Sequence, residues 1–315
     1  MSAKGLSSRA IIGRFYQRLE QNPGLEWVNA LSNYFTSDQE SETYKWLGQV
    51  PAMREWVGGR NAKGFLENGI TIENKHFEAT LEVLVREMRR DKTGQVLVRI
   101  DELADRTNAH WAKLLSELIV NAESTVCYDG QYFFDTDHTE IDSGVQSNKL
   151  SIDISALPTE VHGSPTLPSV EELQLAILNC IQAIYAFKDN QGEPMNENAR
   201  QFLVMVPTSM WHAAKAATAA PVITSGQTNI VQVLDEVSVS VTQNPRLTWT
   251  DKLAVFRTDG SVKSFIRQEE EPVTLKAIAE GSELEFDEDK HHYGVDSWRN
   301  VGYGFWQHAC LAQLT

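Results

Sequence analysis

Apolar residues return at three- and four-residue steps through Ile100, Ala104, Thr107, Trp111, Leu114, Leu115, Leu118 and Ala122. That period marks one face of a helix over 95–123, with neither proline nor glycine inside it. Such a helix would span roughly 40 Å, long for a compact domain, and suggests a structural strut. A second helix opens at Ser169, where Ser169 and Glu172 have the spacing of a capping box. Its apolar face is Leu173, Ile177, Cys180 or Ile181, Ile184 and Phe187. Between 70 and 83 the period shortens to two. Ile70 and Ile72 fall to one side, then Phe77, Ala79, Leu81 and Val83 repeat, which predicts extended chain.

Ahead of that strand, WLGQVPAMREWVGGRNAKGF at 46–65 is rich in glycine and aromatics. Gly58-Gly59, Asn68-Gly69 and Asn74-Lys75 are turn candidates. Residues 44–85 therefore read as a long hairpin with irregular tips. A hairpin is marginal alone, and Trp46, Val50, Met53, Trp56, Val57 and Phe65 are many apolar residues for a solvated arm. It needs a surface to lie on, either its own body or another subunit. The first 43 residues are polar and mixed, with a helical fragment at 10–19, and read as a surface extension. TVCYDGQYFFDTDHT at 125–139 reads as a strand and turn leaving the long helix, and 139–168 as a proline-punctuated loop region. A buried strand at 201–206 then leads through Pro207 to an alanine-rich helix capped by Thr208 or Ser209. From Asn229 onward strands are expected: IVQVLDEVSVSV, LTWTDKLAVFRT, SVKSFIRQ and VGYGFWQHACLA. The fold class is α+β.

Composition narrows the function more than the fold. A formal net charge of −15 argues against a dedicated nucleic-acid reader, which would carry a basic stripe to neutralise phosphates. An acidic protein can still surround DNA that it does not grip. No apolar run approaches the roughly 20 residues of a membrane-spanning helix. Cys127, Cys180 and Cys310 lie far apart among apolar neighbours, which suits reduced, buried thiols.

Candidate chemistry is sparse. Asp135, Asp137 and His138 invite a metal reading, since Asp135 and Asp137 on a strand would share a face about 7 Å apart. One tripeptide rarely supplies a whole site, and an Asx-type turn, with Asp side chains bonded to nearby amides, explains the cluster better. His291 and His292 are adjacent, so on a strand they point to opposite faces and do not chelate one ion together. No GxSxG, CxxC, SxxK, Walker A or GxGxxG motif occurs. Arg54, Arg60, Arg86, Arg89 and Arg90 cluster around the hairpin and suit either DNA or acidic groups of a neighbouring subunit. No catalytic, cofactor-binding or metal residue is assigned, and the chain is read as a non-enzyme.

Three segments resemble the Mu-like phage major head subunit family. They are YKWLGQVPAMREWVGGR at 44–60 with GITIENKHFEATLEV at 69–83, then TVCYDGQYFFDTDH at 125–138, and FLVMVPTSMWHAAKAA at 202–217 with SWRNVGYGFWQHACLA at 297–312. The resemblance implies the Hong-Kong-97-type capsid fold. Mapped onto this chain, 1–43 would be an N-arm, 44–80 the extended loop overlapping a neighbour, and 81–139 a peripheral domain with the spine helix at 95–123. Residues 140–290 would form the axial domain, and 291–315 the strands returning to the peripheral domain.

The implied role is self-assembly as hexamers and pentamers into an icosahedral head enclosing double-stranded DNA, in the virion. The implied partners are other copies of the chain, neighbouring capsomers and a portal. No long charged helical leader precedes the arm, so a separate scaffolding protein and an untrimmed subunit are expected. Trp46, Arg54, Trp56, Arg60 and Phe65 are the expected inter-subunit contacts, because aromatics and arginine dominate interface energetics. The alternatives are an encapsulin-like compartment shell and a metal-dependent hydrolase centred on Asp135, Asp137 and His138.

Overall fold

The computed structural model describes residues 7–22, 24–45, 69–91, 94–222, 228–233 and 236–315. The chain opens with α1 (Ser8–Gln21), α2 (Glu26–Leu31), β1 (Ser32–Thr36) and β2 (Ser41–Tyr44). After residue 69 come β3 (Ile70–Glu73), β4 (Lys75–Leu84), α3 (Val85–Arg90) and the long α4 (Gln95–Val120). The strands β5 (His138–Thr139), β6 (Val145–Gln146) and β7 (Lys149–Ile152) are short. They lead to α5 (Val170–Ala186), β8 (Gln201–Val206), α6 (Trp211–Ala219) and α7 (Ile230–Val233). The chain ends with β9 (Ser238–Gln243), β10 (Lys252–Arg257), β11 (Phe265–Ile278), α8 (Glu283–Glu288), β12 (Lys290–Tyr303) and β13 (Ala309–Leu314). No helix among the described residues is long and apolar enough to cross a membrane.

Two sheets organise these elements. One has the order β1-β11-β12-β4, and its centre is the long ribbon of β11 and β12. That ribbon is bulged around Glu271, where Pro272 has no N–H to give to a ladder. The other sheet has the order β7-β13-β10-β8-β9. The closing strands therefore divide: β12 lies in the first sheet and β13 in the second, between β7 and β10. They do not return together to one unit as the grouping of 291–315 expected.

The long helix forms as its period predicts. Asp91 accepts hydrogen bonds from Gln95 N at 3.0 Å and Val96 N at 2.9 Å, satisfying two amides that the first turn leaves open. The helix spans two apolar clusters. Val96, Ile100 and Ala104 pack with Ile11, Phe15, Val83, Met88, Leu275, Tyr293 and Val295. Ala112, Leu115 and Ile119 belong to the larger core around β8, β10, β13, α5 and Trp306. The capping box at α5 is present in full, and Glu172 is completely buried.

Five local expectations need correction. The described residues among the first 43 are no loose extension: Ile11 and Phe15 are fully buried against α4, and β1 runs parallel to β11. Of the expected hairpin, residues 46–68 lie outside the described residues; among the described ones β2 pairs with β3, while β4 pairs with β12, more than two hundred residues away. Asn74 causes the break. Its N–H and Nδ2 bind Glu40 O and Gln39 O, both at 2.8 Å, which shifts the inward phase from Ile72 to Phe77. Residues 125–137 form turns, with a single bridge between Val126 and Tyr132, because Asp129 and Asp135 capture backbone amides. Residues 230–233 are helical instead of extended, and neither Thr208 nor Ser209 caps α6, which follows a short 3-10 turn.

Candidate functional site

Trp46, Arg54, Trp56, Arg60 and Phe65 lie outside the described residues, but the base from which their segment departs is described. Tyr44 pairs with Ile70, so the chain leaves and returns at one point. Gly69 fits closely there, since a Cβ would crowd Tyr44 O at 3.2 Å. The Tyr44 hydroxyl donates to Gln268 Oε1 at 2.7 Å, and Gln268 Nε2 donates in turn to Asn74 Oδ1 at 2.9 Å. Burial, with Glu42 nearby, pushes the Tyr44 phenol up to about 12. The hydroxyl thus stays protonated as a donor and fastens the base to β11.

Beside this base, Trp111 is held between two guanidinium groups, Arg267 at 5.5 Å and Arg299 at 4.8 Å from its ring centroid. Arg299 is 3% exposed. Its Nη1 lies 4.0 Å from Glu269, its Nη2 donates to Thr107 O at 3.4 Å, and its Nε has no hydrogen-bond partner. Such a desolvated cation is under-satisfied and rests largely on the ring face. The helical period placed Trp111 on the inner face of α4, but nothing local to Arg267 or Arg299 signalled that they would converge there.

Next to Arg299 a groove of about 620 Å³ opens between α4 and β4. Phe77, Ala79, Leu81, Leu103 and Val295 supply its apolar lining, and Arg99, Arg106 and Lys113 its cations. His110 also lines it, and burial lowers its imidazole to about 4, with Arg299 and Lys113 adding to the shift.

The candidate metal cluster is divided differently from its spacing in sequence. His138 is fully buried, stacked on Trp306 at 3.9 Å, and its Nδ1 lies 2.6 Å from Asp129 instead of facing Asp135 or Asp137. Asp135 accepts from the amides of Tyr132 and Thr136, the turn expected of it. Cys127 Sγ, an Asp129 oxygen and a His138 nitrogen lie within 4.8 Å of one another. The Cys127 thiol donates to Asp129 at 2.9 Å, and burial followed by the Asp129 charge pushes its pKa far up. The donors hold one another, with Cys127 kept as a neutral thiol. Gly130 at φ +90° turns the chain between them. His291 and His292 do point apart, His291 lying 3.4 Å from Glu285 and His292 3.3 Å from Glu82. Arg86, Arg89 and Arg90 sit on α3, while Arg54 and Arg60 are outside the described residues.

Solved structures place this architecture in a class. The procapsid of bacteriophage JBD30 matches 98% of this chain and 76% of its own, with a TM-score of 0.55 and 22% identity. The chain has the Hong-Kong-97-type capsid fold. Within that class, the family model of the Mu-like prophage major head subunit gpT matches residues 10–156 and 235–315, and the chain belongs to that family. The Mu-like prophage FluMu major head subunit of Haemophilus influenzae is 36% identical over 102 residues, 32% of this chain and 33% of the relative. The major capsid protein of Escherichia phage Mu is 32% identical over 110 residues, 35% of this chain and 36% of the relative. The chain thus spans about a third of the length of the curated relatives it matches. The segment at 202–217 falls outside the family match.

Proposed function

We propose that this chain builds the shell of a phage head, assembling through its own copies into hexamers and pentamers that close an icosahedral shell around double-stranded DNA. The observation that carries the reading is the match of the family model to most of the chain, on a backbone with the capsid fold. Head-to-tail contacts close into rings, and contacts that are weak singly become strong when repeated around a closed shell. The work is structural rather than enzymatic. A portal and a separate scaffolding protein are the proposed assembly partners, with the packaged DNA held without sequence preference. The domain roles follow the mapping above: N-arm at 1–43, extended loop at 44–80, spine helix in 81–139, axial domain at 140–290.

Inter-subunit contact is assigned to Trp46, Arg54, Trp56, Arg60 and Phe65, on a segment whose two ends are fastened by β2 and β3. Electron microscopy of the expressed protein with its assembly partners tests the reading. Closed shells are expected, and nucleic acid in mature particles separates a head from a compartment that holds protein cargo. Trp56→Ala is expected to weaken shell formation while the monomer's unfolding transition stays unchanged. Normal shells from that variant would remove the loop assignment.

A further inference from the structure

We propose that Phe286 and the acidic face of α8 dock into the groove between α4 and β4 of a second copy of this chain. The inference rests on the shell-building reading above and names one contact within it. Phe286 is 90% exposed, the most exposed large apolar side chain among the described residues. It sits at the turn between β11 and β12, on a short helix fixed by Ser282, whose Oγ accepts from Glu285 N at 3.2 Å. Glu283, three residues earlier, shares the helix face of Phe286, and Asp287 follows Phe286 directly, both acids exposed. Of the nearby acids, Glu285 accepts from Gly281 N at 2.7 Å and Glu288 pairs with Lys290 at 3.0 Å. Glu283 and Asp287 form no ion pair among the described residues.

The groove has the complementary character. Its apolar lining suits an aromatic ring, and Arg99, Arg106, Lys113 and Arg299 outnumber Glu78 and Glu102 along it. Arg106 is exposed and forms no ion pair among the described residues. Arg299 is nearly fully buried, and its Nε has no acceptor in the chain's own structure. Arg99, Lys113 and Arg299 each have a carboxylate at 3.8–4.0 Å, in Glu87, Glu117 and Glu269, so an incoming carboxylate would meet Arg106 as the cation without one.

The occupant must come from another copy. In its own ribbon, α8 stands beyond the Ile278–His292 pair, while the groove lies beside Val295, Ser297 and Arg299, past the cluster of Met88, Leu275 and Tyr293. Knob and groove are different patches, so the contact is heterologous, as ring closure requires. One aromatic side chain buries about 150–250 Å², well short of the ~1,200 Å² of a stable pairwise interface. The contact therefore forms in the shell and not between free monomers.

The test compares particle yield, by sedimentation and electron microscopy, for Phe286→Asp, Asp287→Arg, Arg106→Glu and the double variant Asp287→Arg/Arg106→Glu. Phe286→Asp is expected to lower yield at least about tenfold with the monomer's thermal unfolding unchanged, since the side chain is almost wholly exposed. Each charge reversal is expected to lower yield, and the double variant to recover most of it. Yields from Phe286→Asp within about twofold of the parent, or a double variant no better than its single parents, would overturn the docking. Failure of the unaltered chain to form shells would instead overturn the shell-building reading itself.

Discussion

Replacing Phe15 with alanine is expected to release α1 from the body while the rest of the chain stays folded. Phe15 and Ile11 are fully buried in the smaller apolar cluster, and Ile12, Tyr16 and Leu19 of α1 pack against it partly buried. Burying two such side chains stabilises the docked helix by about 3–6 kcal/mol in all, and removing a buried phenylalanine costs about 3–5 kcal/mol. The loss is comparable to what the two fully buried side chains contribute together, and Ile12, Tyr16 and Leu19 add only partly buried contact. What remains is the pairing of Arg14 with Asp101 and Arg18 with Asp105 at the surface, where water and salt screen it. The contacts of Ser8 with Tyr293 and Glu280, the bond from Leu275 N to the Tyr16 hydroxyl and the bond from Asn108 Nδ2 to Leu19 O also remain. A detached 14-residue helix is marginal in water, so its amides should exchange freely. Hydrogen exchange followed by mass spectrometry is expected to show at least about a 100-fold loss of protection over 8–21, since each 1.4 kcal/mol is roughly tenfold. Protection in β8 and β10 should be unchanged, because Phe15 lies outside the larger core. The reasoning fails if α1 keeps its protection within about tenfold, or if β8 and β10 lose theirs in step with it.

Glu172→Ala should destabilise the chain by about 2–4 kcal/mol in urea titration. It strips acceptors from Ser169 N at 2.7 Å and Gly163 N at 3.0 Å at a buried helix start, and an unchanged midpoint would refute that. Burial holds His308 down at about 3, with Arg257 adding to the effect. Between pH 6.5 and 3 the unfolded chain takes up a proton that the folded one refuses, so stability is full above 6.5 and falls on acidification. The slope contributed is about 1.4 kcal/mol per pH unit. His308→Gln should flatten the profile in that window, and identical slopes would refute the assignment. For Glu123 burial opposes the charge, but hydrogen bonds from Lys149 at 2.7 Å and Lys252 at 2.5 Å outweigh it and hold the carboxyl below its usual 4.5. Its contribution is present above pH 4.5 and lost as pH falls through the lowered value. Glu123→Gln should therefore lose less stability than the parent on acidification below 4.5, and parallel acid limbs would refute this.

What the sequence disclosed was local and periodic. The face of α4, the capping box of Ser169 and Glu172, and the buried strand at 201–206 all rest on spacings of two to four residues. Pairings between distant segments had no such signal. Nothing near Lys75–Leu84 announces β12 as its partner, and the parallel contact of β1 with β11 is equally silent. His138 shows the same limit at a smaller scale. Two aspartates within three positions suggested themselves, yet the partner is Asp129, brought round by a turn at Gly130. The N-terminal segment was legible and undervalued: Ile11, Phe15 and Leu19 repeat at four-residue steps, and the chain's polarity elsewhere hid that stripe. The groove and the Trp111 stack combine residues from 77 to 299, so no window of sequence contains them.

The character of that groove nevertheless follows from one strand. Burial alternates strictly along β12 from His291 to Arg299, so its inward row is His291, Tyr293, Val295, Ser297 and Arg299. The middle of this row is apolar and lies in the smaller cluster, while its end is polar and lies against Trp111. On the facing helix the apolar positions of that cluster run through Ala104, and those of the larger core resume at Ala112. The interval between them holds Thr107, His110 and Trp111, so neither cluster closes over Arg299. The guanidinium is buried there but does not join either apolar cluster, because its charge is held by the ring face, Thr107 O and Glu269. Substituting leucine at 299 would join the two clusters and fill the inner end of the groove. The same change would remove the cation that leaves the groove receptive to an acidic neighbour. Cohesion within the chain and affinity between chains therefore draw on the same residue in opposite directions, and the polar seam is where the fold gives up burial to keep a surface.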